Sequence, residues 1–379
     1  MKHAFLLLPL LVTTAFADII IKLDDRILAA DQRKQKTTCF QLFNHLDTTN
    51  NRNGNLAFSP FSTTIAMKMA LLGANHEGET ALEIVRAFPP SISLEAMKRD
   101  ELLVANATFC HEATTFNPDF IRSLKTFHHA SAKTLDFVQP EPARATINAW
   151  VAEQTHDKIQ NLMPPGSLTR DSRLVLVNAL YFKDDWKTPF QPHNIRDRAF
   201  NTASGAAREI PFMHQTARFN YAEIDNIQIL QLPYKNGCVM SLYLPREKDL
   251  APAFALLDKD FSSDLKPARV SVALPKFTIQ WQGSLKASLQ QLGIREAFTE
   301  NADFSRITKD ERLFISDVFQ AVFIAVDERG TEAAAATGVG FSVTSINLEQ
   351  PVEFIADHPF LFTLATPDGT LLFTGVFRE

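Results

Sequence analysis

The stretch of sequence that says most about the fold is Asp327-Glu328-Arg329-Gly330-Thr331-Glu332-Ala333-Ala334-Ala335-Ala336-Thr337. From Thr331 to Val343 every second residue is small or apolar, and the only charge, that of Glu332, lies between two of them. Such period-two alternation is typical of a strand buried on one face. These 13 residues, at ~3.3 Å each, would span roughly 43 Å, far more than an ordinary strand. The pattern therefore predicts a strand central to a large sheet.

The same stretch also has a helical interpretation. Glu and Ala are strong helix formers, so residues 332–336 could continue a helix. Gly338 and Gly340 would end that helix, and the residues beyond them prefer strands. A helix, a fixed strand and a loop that switches between two states all remain open from the pattern alone. Conflicts of this kind between local signals often mark functional segments.

Outside this stretch the two halves of the chain differ in periodicity. Apolar residues recur three and four apart over 64–72 and 147–163, which predicts helices, and the Ser59-Pro60 step fits the start of the first one. From residue 173 onward, apolar runs predict strands over 174–177, 239–244 and 270–274. Because helices and strands do not alternate regularly, the sequence predicts an α+β fold and not a doubly wound sheet.

Composition and charge exclude several classes of protein. The chain has 379 residues, 45% of them hydrophobic and 21% charged, with 31 Phe, so it is neither disordered nor collagen-like nor a small disulfide scaffold. With 13 Gly and 20 Pro, it offers no support for a flexible linker between domains. The net charge of −5 argues against nucleic acid as a partner, because phosphate binding requires clustered Lys and Arg.

The N-terminus has the organisation of a secretory signal peptide over residues 1–17. Lys2 and His3 form a basic start, an apolar run extends over 4–12, and Ala15-Phe16-Ala17 ends the segment. No later stretch is apolar over the ~18–20 residues of a membrane span. We therefore expect a secreted or periplasmic protein that is not inserted in a membrane. The sequon at Asn106 lies in a strand-like run, so we interpret it as a chance match.

Local signatures of enzymes and metal sites are missing from the sequence. No two of the 13 glycines are four residues apart, which excludes a G-x-S-x-G elbow, and neither phosphate-binding loops nor HExxH occurs. Cys39, Cys110 and Cys238 are too widely spaced for a zinc ribbon or a CxxC site, so we interpret them as buried thiols. We expect no metal, no cofactor and no enzymatic activity, although a triad assembled from distant residues stays open.

The quoted stretch resembles the hinge of the reactive-centre loop in the serpin family of serine protease inhibitors. Further segments resemble this family in its order along the chain. They are Asn55-Leu56-Ala57-Phe58-Ser59-Pro60-Phe61-Ser62, Ile147-Asn148-Ala149-Trp150-Val151, Val177-Asn178-Ala179-Leu180-Tyr181-Phe182-Lys183 with Trp186, Leu274-Pro275-Lys276-Phe277, Ala302-Asp303-Phe304-Ser305, Ala356-Asp357-His358-Pro359-Phe360 and Phe373-Thr374-Gly375. The resemblance covers nearly the whole mature sequence, so the chain is identified as a member of the family, of the inhibitory type.

This resemblance implies a single domain over 18–379, with about nine helices around three β-sheets and an exposed reactive-centre loop at about 328–353. A serine or cysteine protease would cut the loop and form an acyl-enzyme with it. The hinge would then insert into the main sheet as a new strand and trap the protease in a covalent complex. We expect the inhibitor itself to be a monomer.

The resemblance also assigns roles to two groups of residues. The hinge comprises Glu328, Gly330, Thr331, Glu332, Ala333, Ala334, Ala335, Ala336 and Thr337. The residues expected beneath the opening strands are Ser59, Ser62, Asn178, Gln320 and Trp186. Gln320 occupies the position of the usual His and would approach Asn178, Ser59 and Ser62, whereas Asp184 replaces the usual Gly after Phe182-Lys183. Taken singly, Asn178, Ser59 and Ser62 could equally be ordinary capping or buried amide residues.

Counting 16 residues from Glu328, as the family pattern implies, places the reactive bond between Thr344 and Ser345. Val343, Phe341 and Leu348 are alternative positions. No Arg or Lys occurs between Glu332 and Phe354, so a trypsin-like target is disfavoured. Small or apolar residues suit an elastase-like protease, and Phe341 keeps a chymotrypsin-like one open. Two other functions are a non-inhibitory serpin acting as carrier or chaperone, which the small hinge residues disfavour, and an exported hydrolase.

Overall fold

The computed structural model describes residues 25–50, 52–89, 99–331 and 350–379. The predicted signal peptide, residues 1–17, lies outside this part of the chain. So do the hinge residues from Glu332 to Thr337 and the candidate cleavage positions Phe341, Val343, Thr344, Ser345 and Leu348. The remaining predicted site residues all lie within it.

Seven α-helices occur in the described ranges. They are α1 (Asp25–Thr49), α2 (Pro60–Gly73), α3 (Glu79–Ala87), α4 (Pro118–His128), α5 (Pro140–Gln154), α6 (Ala251–Leu256) and α7 (Lys286–Gln291). Two further turns, Pro192–Asn194 and Glu296–Phe298, are 3₁₀ helices. The expected start of α2 is confirmed, because the Ser59 side chain caps it and Pro60 occupies its first turn.

Sixteen strands complete the described fold. They are β1 (Leu56–Phe58), β2 (Leu102–His111), β3 (Ser131–Leu135), β4 (Leu174–Phe182), β5 (Asp184–Asp185), β6 (Arg196–Asn201), β7 (Ala207–Ile224), β8 (Ile227–Pro233), β9 (Val239–Pro245), β10 (Lys266–Pro275), β11 (Phe277–Ser284), β12 (Ile315–Val326), β13 (Gly330–Thr331), β14 (Val352–Ile355), β15 (Phe360–Ala365) and β16 (Leu371–Phe377). All three predicted strand runs are confirmed within β4, β9 and β10.

The strands form two sheets. The seven-stranded sheet, here called the main sheet, has the order β3-β2-β4-β12-β13-β5, with β11 also paired to β12. The nine-stranded sheet has the order β1-β16-β15-β9-β8-β7-β10-β14, with β6 also paired to β7. The α+β class is confirmed, with small differences from the expected nine helices and three sheets. Two of the three expected sheets form the single nine-stranded sheet. They are joined by the 18-residue β7, which pairs with β6 and β10 over most of its length and with β8 near its end.

The core lies on both faces of the main sheet. Every residue of β4 is buried, which explains its continuous apolar run. On one face, α5 contributes Ile147 and Val151 to a cluster with Val175 and Val177. On the other, α2 lies between the two sheets and buries all of its residues except Leu72.

The predicted helix over 147–163 is wrong in its second half, because α5 ends at Gln154. The Thr155 hydroxyl donates to the carbonyl of Val151 and accepts from the amide of Ile159, which closes the helix end locally. His156 and Asp157 then adopt positive φ angles of 48° and 61°, which an α-helix does not allow. The chain therefore turns where the apolar spacing still suggests a helix.

Candidate functional site

The first residues of the predicted hinge lie inside the main sheet. Thr331 in β13 pairs with Val326 of β12 on one side and with Asp184 of β5 on the other. Its exposure is 0%. The expectation that the loop is exposed from about residue 328 is therefore wrong for Gly330 and Thr331. Both are buried because the ends of β12 and β5 leave room for one short antiparallel strand between them.

A tight turn directs the chain from β12 into this position. The Asp327 carboxylate accepts hydrogen bonds from the amides of Arg329 (2.8 Å) and Gly330 (3.2 Å). The Asp327 amide in turn donates to the Gly330 carbonyl at 2.9 Å. A Cβ atom added to Gly330 would lie 2.1 Å from the carbonyl oxygen of Asp184. Gly330 is therefore required by close contact with backbone.

Thr331 is held by an aromatic pair beneath the strand. Its Oγ1 lies 2.7 Å from the Tyr234 hydroxyl. The Tyr234 ring stacks on Trp186 with a centroid separation of 4.2 Å and an interplanar angle of 23°. Burial raises the pKa of Tyr234 well above its usual value, so the hydroxyl keeps its proton. We call Thr331, Tyr234 and Trp186 the hinge seat.

Trp186 and Phe190 also fix the backbone that leads into the seat. The indole Nε1 of Trp186 donates to the carbonyl of Asp327 at 2.9 Å. The backbone amides of Trp186 and Phe190 donate to the carbonyls of Arg329 and Glu328 at 2.7 and 2.8 Å. Trp186 thus lies beside the start of the predicted hinge, whereas the resemblance implies a position beneath the opening strands.

Glu328 is anchored by a lysine in the connection between the two sheets. Its carboxylate forms an ion pair with Lys276 at 2.6 Å, in the short connection between β10 and β11. Burial tends to raise the pKa of Glu328, but the contact with Lys276, a backbone hydrogen bond and the charge of Arg329 together hold the pKa below its usual value. The carboxylate is therefore ionised at neutral pH and fixes the end of β12.

Gln320 joins β12 to the start of α2. Its side chain is fully buried, accepts from the Ser59 amide at 3.0 Å, and donates to the Ser59 carbonyl at 3.0 Å and to Thr63 at 2.9 Å. Ser62 is linked indirectly, because its amide donates to the Ser59 hydroxyl at 3.1 Å. An amide side chain can thus donate and accept at this position without a titratable group.

Asn178 takes a different partner from the predicted one. Its backbone is the register partner of Gln320 across β4 and β12, but its side-chain amide donates to the side chain of Asn106 on β2. Asn106 is 3% exposed and lies in β2, which supports the interpretation of its sequon as a chance match. The predicted network therefore divides into a Gln320–Ser59 part, an Asn178–Asn106 part and Trp186 at the hinge seat.

Asp184, the departure from the family pattern, lies next to the hinge seat. Its carboxylate accepts from the amide of Asp185 at 2.8 Å and from the backbone and side chain of Asn236 at 3.4 and 3.3 Å. Burial is the main cause that raises the pKa of Asp184 to about 6, and the charges of Glu101 and Asp185 add to it. A group that titrates near neutrality therefore flanks the buried hinge residue.

Sequence reasoning missed Tyr234, Lys276 and Thr63 as parts of the site. Tyr234 is 97 positions from Thr331 and carries no local motif. Lys276 lies in a segment that resembles the family, but nothing in that segment indicates a contact with Glu328. A signal for Thr63 existed in its position one helical turn after Ser59, where it would face the same neighbours.

The described residues contain no cluster of His, Cys, Asp or Glu that could hold a metal ion. The three cysteines are buried and free, as predicted. Burial raises the pKa of Cys39 to about 12, so this thiol stays protonated. None of the helices described in the structure is both long and apolar enough to span a bilayer.

Comparison with known proteins agrees with this architecture. The profile of the family described as "Serpin (serine protease inhibitor)" matches residues 33–379. A leukocyte elastase inhibitor of Xenopus laevis is 34% identical over 371 residues, covering 90% of this chain and 97% of its own. Antichymotrypsin-2 of Bombyx mori is 31% identical over 351 residues, covering 87% of this chain and 93% of its own.

Solved structures give the same result. Serpin48 of the insect Tenebrio molitor superposes with a TM-score of 0.81 at 30% identity, covering 94% of this chain and 99% of its own. Human thyroxine-binding globulin superposes with a TM-score of 0.82 at 25% identity, covering 93% and 99%. The family description names inhibitors and not catalysts, in agreement with the prediction that the chain is not an enzyme. The chain belongs to the serpin family.

Proposed function

We propose that this chain is an exported suicide-substrate inhibitor of a serine or cysteine protease, acting by loop cleavage, acyl-enzyme trapping and hinge insertion. The observation that carries the proposal is the position of Thr331, already a strand residue between β12 and β5. An inserting hinge would extend this strand and would not need to create a new one.

The register of β13 supports insertion along a defined path. Thr331 pairs with Val326 on one side and Asp184 on the other, so continuing both antiparallel pairings by six residues brings Thr337 opposite Gln320 and Asn178. Gln320 and Asn178 are themselves register partners in the closed sheet. The two pairings therefore lead independently to the same place between β12 and β4.

The inward face of the path explains the small hinge residues. Val326, Ile324 and Val322 alternate along β12 and point into the hydrophobic core shared with α2. Ala333 and Ala335 would lie beside Ile324 and Val322 in the continued register. Only small groups fit next to such close-packed neighbours, whereas Glu332 on the opposite parity would avoid this core.

Hydrogen bonding provides the driving force for insertion. β4 and β12 now share one set of parallel hydrogen bonds over eight paired positions. A strand between them would be antiparallel to both, replacing one ladder with two, and antiparallel pairing is slightly the more stable. Several added hydrogen bonds at a net ~1 kcal/mol each give on the order of 10 kcal/mol over the predicted 13-residue strand.

For the target we propose an elastase-like or chymotrypsin-like protease and a reactive bond between Thr344 and Ser345. The absence of basic residues between Glu332 and Phe354 supports this class, and so do relatives named as inhibitors of leukocyte elastase and as an antichymotrypsin. The likeness to thyroxine-binding globulin keeps a carrier as the second candidate. The small hinge residues favour the inhibitor.

The test is incubation of the purified mature protein with pancreatic elastase and, separately, chymotrypsin, followed by denaturing gel electrophoresis. The proposal predicts a covalent complex that survives boiling in detergent, and a released C-terminal peptide that begins at Ser345 by intact-mass analysis. If both proteases cleave the protein completely and neither forms such a complex, the result would contradict inhibition. Efficient trapping of trypsin would contradict the target class.

A further inference from the structure

The Tyr234 hydroxyl is placed to hold the start of the hinge in the main sheet before any cleavage. It lies 2.7 Å from Thr331 Oγ1, and both residues are buried. Thr331 belongs to β13 of the main sheet, whereas Tyr234 directly follows β8 of the nine-stranded sheet. The hydrogen bond therefore joins the moving segment to a part of the molecule outside the main sheet.

The Tyr234 ring has little freedom to move. It stacks on Trp186 at 4.2 Å and meets Phe182, the last residue of β4, edge to face at 5.2 Å. Backbone bonds fix the same residue, since the Tyr234 amide donates to the Cys238 carbonyl at 2.8 Å and Tyr234 forms an isolated antiparallel β-bridge with Trp186. Three packed rings thus aim one hydroxyl at Thr331.

We propose that Tyr234 is a positioning residue that fixes the register of the resting hinge and thereby sets how often cleavage ends in inhibition and how often in release. This inference rests on the proposed inhibitory function. Its first part, that Tyr234 holds Thr331 in the intact protein, can be measured without any protease.

Register is the reason such a contact matters. Side chains alternate between the faces of a strand, so a slip of one residue would turn Glu332 into the core and Ala333 and Ala335 outward. With Thr331 fixed opposite Val326 and Asp184, the first residue to insert already has the correct parity. Insertion then proceeds without a search for register and competes better with hydrolysis of the acyl-enzyme.

The direct variant is Tyr234→Phe, which keeps the ring and removes only the hydroxyl. The matched control is Tyr243→Phe, because Tyr243 is also buried and its hydroxyl also faces a threonine, Thr363 at 3.3 Å, in the nine-stranded sheet. Thr331→Ser keeps a hydroxyl at the seat, and Thr331→Val removes it.

Two measurements follow. The amide exchange rates of Gly330 and Thr331 in the intact protein should rise about fivefold in Tyr234→Phe, the effect expected for one buried hydrogen bond, and stay unchanged in Tyr243→Phe. The number of inhibitor molecules consumed per protease trapped should rise severalfold in Tyr234→Phe and Thr331→Val, but not in Thr331→Ser. The double variant Tyr234→Phe with Thr331→Val should consume no more inhibitor per protease trapped than either single variant, because both substitutions remove the same hydrogen bond.

The exchange rates test the contact between Tyr234 and Thr331, and the consumption ratio tests the positioning role of Tyr234. Unchanged exchange at Thr331 in Tyr234→Phe overturns the proposed contact. A consumption ratio that changes equally in Tyr234→Phe and Tyr243→Phe reduces the effect to general destabilisation and overturns the positioning role. If the wild-type protein traps no protease, the proposed function fails, while the exchange data still decide whether Tyr234 holds Thr331.

Discussion

At the scale of single residues, the site depends on two positions with opposite demands. Gly330 must lack a side chain because the backbone of β5 lies against it, and Asp184 retains a carboxylate in a place where burial disfavours charge. The sequence indicates both positions only through resemblance. The physical reasons require the structure, because β5 and β13 are neighbours although their residues are more than 140 positions apart in the chain.

Gly330→Ala should expel the start of the hinge from the sheet. Its Cβ would meet backbone atoms that cannot rotate away, so we expect a loss of about 1–3 kcal/mol in the free energy of unfolding in urea. Gly283→Ala is the control, since its Cβ would meet only the Trp281 ring at 3.0 Å, which can shift. Equal stability of the two variants would show that the close contact at Gly330 has no consequence.

Asp184→Asn should change the pH dependence of stability in a defined direction. The pKa of Asp184 is about 6 in the folded protein, above the usual 3.8, so the folded state binds this proton more tightly than the unfolded state. The contribution of Asp184 to stability is complete below about pH 4 and is lost as pH rises through 6. The free energy of unfolding of the wild type minus that of the variant should therefore fall between pH 4 and 7.5. A difference that grows with pH would refute this assignment.

At the scale of elements, much of the framework is readable from the sequence and the junctions between elements are not. The strands β4 and β9 and the C-terminal half of β10 carry mainly apolar runs because they are largely buried, and Ser59-Pro60 signals the start of α2. The end of α5 is missed because the Thr155 hydroxyl overrides apolar spacing that continues beyond it. The contact between β13 and Tyr234 has no local signal, since distant segments create it.

Parity along the hinge can be tested with one charge moved by one residue. Thr331→Arg would place a charge at a fully buried position, at a cost of roughly several kcal/mol, so we expect at least a tenfold rise in inhibitor consumed per protease trapped. Glu332→Arg, predicted to lie on the opposite face, should leave that ratio within twofold. Titration of active protease with each variant measures the ratio. If both variants inhibit like the wild type, or both fail alike, the facing is wrong.

At the scale of the whole molecule, the main sheet is closed, because β4 and β12 pair directly with each other. Beyond the last pair between these two strands, β12 and β5 enclose Gly330 and Thr331 of β13. Under the proposed mechanism, the hydrogen bonds and core contacts of one additional strand would form only after cleavage. Cleavage of the loop should release the hinge to form them.

The most direct test of hinge insertion is the thermal unfolding of the protein before and after a single cut in the loop by a protease that is not trapped, confirmed by intact mass. The account predicts that the cleaved protein, with both fragments still associated, melts at a clearly higher temperature than the intact one. The same cut in Thr331→Arg should give a much smaller rise. A cleaved wild-type protein that melts at the same or a lower temperature would contradict insertion into the main sheet.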